Sequence, residues 1–215
     1  MKKLATFLTA VTATVASFGG SYSFVPNPAD LYDLDHSKAY SWGISGTQEA
    51  ALANDVNHGL QITSATLTIK NIYDWTREAN DHLYIDLLDA TLKGVTTFTD
   101  YNPLASDFFN PLNLNAIPRL ADWSDPAGGS ATGFNLVVNL DTAQIAVLTK
   151  YLTNSTLSGT ADFGLGFDPD CHYFNDGVSF VVQTGRASVA DGGTTLILLG
   201  LGLSGLVFFR RFFRV

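Results

Sequence analysis

One cysteine, Cys171, stands in a chain of 215 residues, so no disulfide can close within it and stability has to come from packing. Cations are almost as scarce. Of the 12 Lys and Arg, five (Lys2, Lys3, Arg210, Arg211 and Arg214) lie in the two terminal stretches, which leaves 12 − 5 = 7 against 20 acids. A surface so poor in positive charge repels phosphate backbones, which excludes nucleic acid as a partner, and attracts cations instead. Glutamate is nearly missing too: only Glu49 and Glu78 occur, the other 18 acids being Asp. The short Asp carboxylate bonds nearby backbone amides in turns and reaches metal ions from tight loops, so the bias points to a turn-rich protein with calcium as a candidate ligand. No repeat of roughly 20–50 residues is visible, and the length fits one domain.

What is present between residues 17 and 188 is mostly β pattern. YSFVPNPA (22–29) is an extended lead-in, because Pro26 and Pro28 exclude a helix. AYSWGI (39–44) reads as a strand, LQITSATLTIKNIYDW (60–75) as a long one, and HLYIDLLD (82–89) as a half-buried one with Leu83, Ile85 and Leu87 on one face. Further strands are predicted over 94–100, 134–140, 160–168 and 177–184. Asp141 can cap a helix over 142–152, whose Ile145, Leu148 and Leu152 form one apolar stripe. Residues 101–133 carry Pro103, Pro111, Pro118 and Pro126 together with Gly128 and Gly129, and read as a long variable loop. The expected fold is all-β: an antiparallel, jelly-roll-like β-sandwich with one short helix, followed by a C-terminal transmembrane helix.

The two ends differ from this body. MKKLATFLTAVTATVASFGG begins with two lysines, continues through an apolar, Thr-rich stretch and reaches small residues near Ala16, the layout of a signal peptide over 1–16. At the other end, Thr194–Phe209 carries no charge and is followed by Arg210, Arg211 and Arg214. With its flanks it reaches marginal spanning length, and the arginines would stay cytoplasmic while the acidic body stays outside. Val189, Ala190, Asp191, Gly192 and Gly193, then this Leu/Gly-rich span, then the basic cluster, resemble the C-terminal sorting signal of the PEP-CTERM class, in its VPDSG-type variant. The resemblance implies a sorting segment over 189–215 recognised by an exosortase, a membrane-embedded enzyme resembling a transpeptidase. It also implies export through an inner-membrane intermediate to the cell surface or an extracellular polysaccharide matrix. Ala190 departs from the family pattern, which has Pro there.

Three Asp-rich segments, DLYDLDH (30–36), YDWTREANDH (73–82) and DPDCHYFND (168–176), converge at one end of such a sandwich. Asp33, Asp35, Asp74, Asp81, Asp168 and Asp170 are the candidate calcium ligands, since calcium takes about six to eight oxygens from flexible loops. None of these segments has a DxDxDG calcium loop, and turn capping is the competing reading. His36, His82 and His172 could share that end as a zinc or copper site or could order turns. Cys171 and His172 are adjacent, so their side chains face opposite ways along a strand and do not form a nucleophile–base pair. Trp123, in ADWSDPAGG, is the candidate sugar-stacking residue of the 101–133 loop. The pattern as a whole favours a non-catalytic structural or binding protein of the cell surface; a carbohydrate-binding module is the alternative, and a secreted hydrolase follows it.

Overall fold

The computed structural model describes residues 19–27, 31–76, 81–101, 107–110, 117–154 and 160–186. The expected signal peptide, the sorting motif, the transmembrane helix and the arginine cluster lie outside them. Among the described residues no helix is long and apolar enough to cross a membrane.

Eleven strands occur there, and every strand pairing is antiparallel. They are β1 (Ser21–Phe24), β2 (Asp33–Leu34), β3 (Lys38–Ile44), β4 (Gln61–Asp74), β5 (His82–Asp89), β6 (Gly94–Thr99), β7 (Arg119–Ser124), β8 (Phe134–Asn139), β9 (Phe163–Pro169), β10 (Tyr173–Phe174) and β11 (Val178–Gly185). One sheet runs β1-β11-β4-β10-β2 with β8 also on β4, and the other runs β6-β3-β9-β5-β7. Period-two patterning sends Ala65, Leu67 and Ile69 of β4, Leu83, Ile85 and Leu87 of β5, and Phe180 and Val182 of β11 into a shared core. The result is a β-sandwich.

Among the described residues two α-helices are present where one short helix was expected in the sandwich. Thr142–Asn154 (α2) follows the predicted pattern: Asp141 Oδ1 accepts from the Gln144 backbone N at 2.8 Å while Gln144 Oε1 accepts from Asp141 N at 2.8 Å, a reciprocal cap. Leu148, Tyr151 and Leu152 are buried beneath it. The additional helix, Thr47–Asn57 (α1), buries only Leu52 and Val56 and has no side-chain N-cap. Tertiary contacts hold it: Asp55 Oδ2 accepts from Tyr22 OH at 2.5 Å and from Thr184 Oγ1 at 3.0 Å, fastening α1 to β1 and β11. Burial first, and then the Asp55 carboxylate, push the Tyr22 phenol up to about 12.

The second correction concerns 101–133. Its described part contains β7, whose Leu83↔Trp123 and Ile85↔Ala121 pairings extend the five-stranded sheet beyond β5.

The register sorts the two ends. α1 joins the end of β3 to the start of β4, and α2 joins the end of β8 to the start of β9, so both helices close one end. At the other end, β10 bridges Asp74 and Tyr73 of β4 to Leu34 and Asp33 of β2, and Leu83 of β5 faces Pro169 of β9. The three Asp-rich segments meet there.

Candidate functional site

Within that end the aspartates divide into hydrogen-bonded sets, each on its own scaffold. Asp33 and Asp35 belong to the first. The Tyr40 hydroxyl donates to Asp33 O at 3.2 Å and accepts from Asp35 N at 3.0 Å, while the Asp35 carboxylate accepts from Ser37 N and Oγ and pairs with Lys38 at 3.3 Å. The Ser37 amide, above all, lowers the Asp35 carboxyl below its usual range. Asp33 Oδ1 is hydrogen-bonded to His172 Nε2.

The second set surrounds Tyr173, which is fully buried and donates its hydroxyl to Asp81 O. Asp74 Oδ1 accepts from Trp75 N at 2.6 Å, and Asp125 Oδ2 accepts from Asp74 N at 2.9 Å. Asp125 Oδ1 holds the Ala127 and Gly128 amides of the following turn, as a short carboxylate does in a tight loop. Asp170 N donates to His82 O at 2.7 Å. Asp74, Asp81 and Asp170 are all buried, and among the described residues Asp81 Oδ2 has no hydrogen-bond partner. Burial, followed by the charges of Cys171, Asp81, Asp74 and Asp170, raises the Tyr173 phenol far above its ordinary range.

The third set lies on the outer face of the five-stranded sheet and centres on Arg119. Its Nε is 3.2 Å from Asp86 Oδ1 and its Nη2 is 2.5 Å from Asp107 Oδ2, while the guanidinium sits 4.4 Å from the Tyr84 ring centroid. Phe109 lies over Gly166, where a Cβ would come within 2.7 Å of its ring, and Phe108 N donates to Asp168 Oδ2 at 2.7 Å. Residues 107–110 thereby cover a sheet face that the sequence pattern leaves to solvent. Burial pushes Asp86 up to about 8, with the Asp107 carboxylate adding to the shift and Arg119 opposing it. Burial also raises Asp168 to about 7, the Phe108 amide opposing and the Asp100, Asp107 and Asp170 charges assisting. These two carboxyls are proton-holding groups near neutral pH.

The six calcium candidates are thus shared among all three sets, and among the described residues no group of three or more His, Cys, Asp or Glu side chains is placed to hold a metal ion. The histidines separate likewise: His36 lies 3.6 Å from Asp35, His82 bonds Asp122 at 2.6 Å and stacks on Tyr84, and His172 joins Asp33 and Phe174. Cys171 is buried while the neighbouring His172 side chain is partly exposed.

Trp123 is a further correction of placement. It lies in β7 rather than in a loop, and its ring packs on Tyr173 and Phe134 at centroid distances of 5.3 and 5.5 Å. The exposed tryptophan is Trp75, 60% accessible just past the end of β4. It stands edge-on to Tyr73 (6.3 Å, 82°) and to Phe174 (5.6 Å, 81°), which are themselves stacked across the β4–β10 pairing at 5.8 Å. His172 stacks on Phe174 at 4.7 Å. The signal for this cluster was in the sequence as the outward positions of IYDW and CHYF, but it needs β10 to bring the two runs together.

Fold and surface together define an antiparallel β-sandwich with an acidic, ring-bearing end, followed in the sequence by a C-terminal extension. In that extension residues 188–213 match the VPDSG-CTERM motif, an exosortase-sorting C-terminal signal of the PEP-CTERM type. Val189, Asp191 and Gly193 coincide with letters of the motif, and Ala190 and Gly192 stand in place of its Pro and Ser. The motif marks the chain as a secreted, exosortase-sorted surface protein and implies recognition by an exosortase-type membrane enzyme. No curated protein matches the chain.

Proposed function

We propose that the chain is a non-catalytic component of the cell surface or extracellular matrix, delivered by its tail and acting through its sandwich. The single observation that carries this reading is the sorting motif over 188–213. In this reading the uncharged span pauses in the inner membrane with Arg210, Arg211 and Arg214 on the cytoplasmic side, and the exosortase-type enzyme acts near Val189–Gly193. An apolar segment followed by arginines suits that arrangement, because lipid accepts the former and cytoplasmic retention favours the latter.

A binding or structural role is supported by the way the candidate acid–base groups are used. Asp86 and Asp107 are tied to Arg119, Asp168 to the Phe108 amide, and His172 to Asp33. Each bond orients a loop or a neighbouring strand.

The test is intact-mass measurement of the protein recovered from the surface and medium of an exosortase-bearing host. The expected species lacks the arginine cluster and ends near the motif. A chain that still ends at Val215 and stays in the cytosol overturns the reading.

A further inference from the structure

We propose that the outer face of the six-stranded sheet at its aspartate-rich end binds a neutral oligosaccharide, with Trp75 and Tyr32 as its two stacking residues. The inference rests on the surface role proposed above and gives that role a ligand class.

Trp75 is the starting point. A tryptophan side chain left 60% accessible leaves much of its apolar surface in contact with water. Tyr73 and Phe174 stand beside it edge-on, which steadies the indole without covering it. The arrangement follows from the fold. A register shift between Ile69 and Ile72, with Asn71 at φ 47°, re-aims the last residues of β4, and β10 then sets Phe174 directly opposite Tyr73.

The ring cluster does not stand alone. Phe174 pairs with Asp33, and Asn175 N donates to Tyr32 O at 3.0 Å, so the same turn carries the surface on to Tyr32, which is 48% exposed. Tyr32 borders an open groove of about 330 Å³ lined also by Val25, Leu31, Lys70, Asp176 and Gly177. Gly177 has φ 123°, which glycine adopts without strain, and the position of a Cβ there lies at ordinary contact distance, 3.4 Å, from the Tyr32 ring. An ammonium and a carboxylate thus border the groove beside the exposed Tyr32 ring.

That mixture selects the occupant. A pyranose ring presents an apolar C–H face that stacks on an aromatic plane and a rim of hydroxyls that both donate and accept hydrogen bonds, so it suits rings interleaved with Lys70, Asp176, Asp33 and His172. An apolar protein partner would require a continuous apolar centre with its charges at the rim. A polyanionic glycan is repelled by the 20 acids of the chain. Two exposed rings next to different strands, Trp75 after β4 and Tyr32 before β2, suit an oligosaccharide better than a single sugar.

The experiment is isothermal titration of the full-length chain, held in a zwitterionic detergent free of sugar groups, with cellohexaose, maltohexaose and xylohexaose, and with an oligogalacturonate as the anionic control. At least one neutral hexasaccharide binds and the oligogalacturonate does not. Trp75→Ala and Tyr32→Ala each weaken binding tenfold or more, Trp75→Phe retains most of it, and circular dichroism shows both alanine variants folded. Absence of heat with all three neutral probes, or unchanged affinity in both alanine variants, overturns the assignment. So does a chain that is dimeric in wild type and monomeric in Trp75→Ala, which would give the face to a second copy. Export and tail removal are read on separate material, so failed sugar binding leaves the surface role standing, and cytosolic retention removes that role without touching the titration.

Discussion

The two ends of the sandwich are closed by different means. At one, α1 and α2 bury Leu52, Val56, Leu148 and Leu152, so apolar side chains are consumed in packing. At the other, two-residue strands and turns are held by aspartates while Trp75 and Tyr32 remain open to water. The difference teaches where stability and recognition are kept apart. Burial stabilises by roughly 25 cal/mol per Å² of apolar surface removed from water, and side chains left outside that core are available for a ligand.

The contrast can be broken most severely at the helical end. Leu148→Ala should cost about 2–5 kcal/mol in chemical denaturation, since Leu148 is fully buried and the cavity cannot refill from solvent. Sugar binding at the opposite end should survive in whatever fraction remains folded.

A smaller effect is expected from pH. The folded-state carboxyls of Asp86 and Asp168 are raised to about 8 and about 7, above their unfolded values, so between about pH 4 and those values the native state holds protons that the unfolded state releases. Stability contributed by these groups is therefore greatest at the acid side of that window and falls as pH rises through it. Scanning calorimetry should show the melting temperature rising as pH is lowered from 8 towards 5, and Asp86→Asn should flatten that rise. A pH dependence that Asp86→Asn leaves unchanged would overturn the assignment of this slope to Asp86.

The smallest change is predicted for Trp75→Ala. With 60% of the residue exposed, its loss should shift stability by no more than about 0.5 kcal/mol. A loss comparable to that of Leu148→Ala would move Trp75 from the recognition side of the comparison to the packing side.

How far the chain could be read from its residues alone follows the same division. β5 was legible at both boundaries because Leu83, Ile85 and Leu87 alternate cleanly, and α2 because Asp141 marks its start and Ile145, Leu148 and Leu152 its apolar stripe. α1 was not: only Leu52 and Val56 mark an apolar face, and Asp55 holds it through partners 33 and 129 residues away. β7 was hidden between Pro118 and Pro126, where RLADWS has too few alternations to announce a strand. Trp123 was misplaced for the same reason; its inward direction is set by pairing with Leu83. The meeting of the three Asp-rich segments followed from counting strand directions. The burial of Asp86 did not, because its position on the outward face of β5 reads as solvated until residues 107–110 fold over it. The Trp75 cluster depended on β10, a strand of two residues that no pattern of that length can signal.

Strand β11 runs from Val178, near the bulge of β4, to Gly185 opposite Gln61, beside α1. The last strand of the sandwich therefore ends at its helical pole. The indole of Trp75 lies at the other pole, a long strand's length from Gly185.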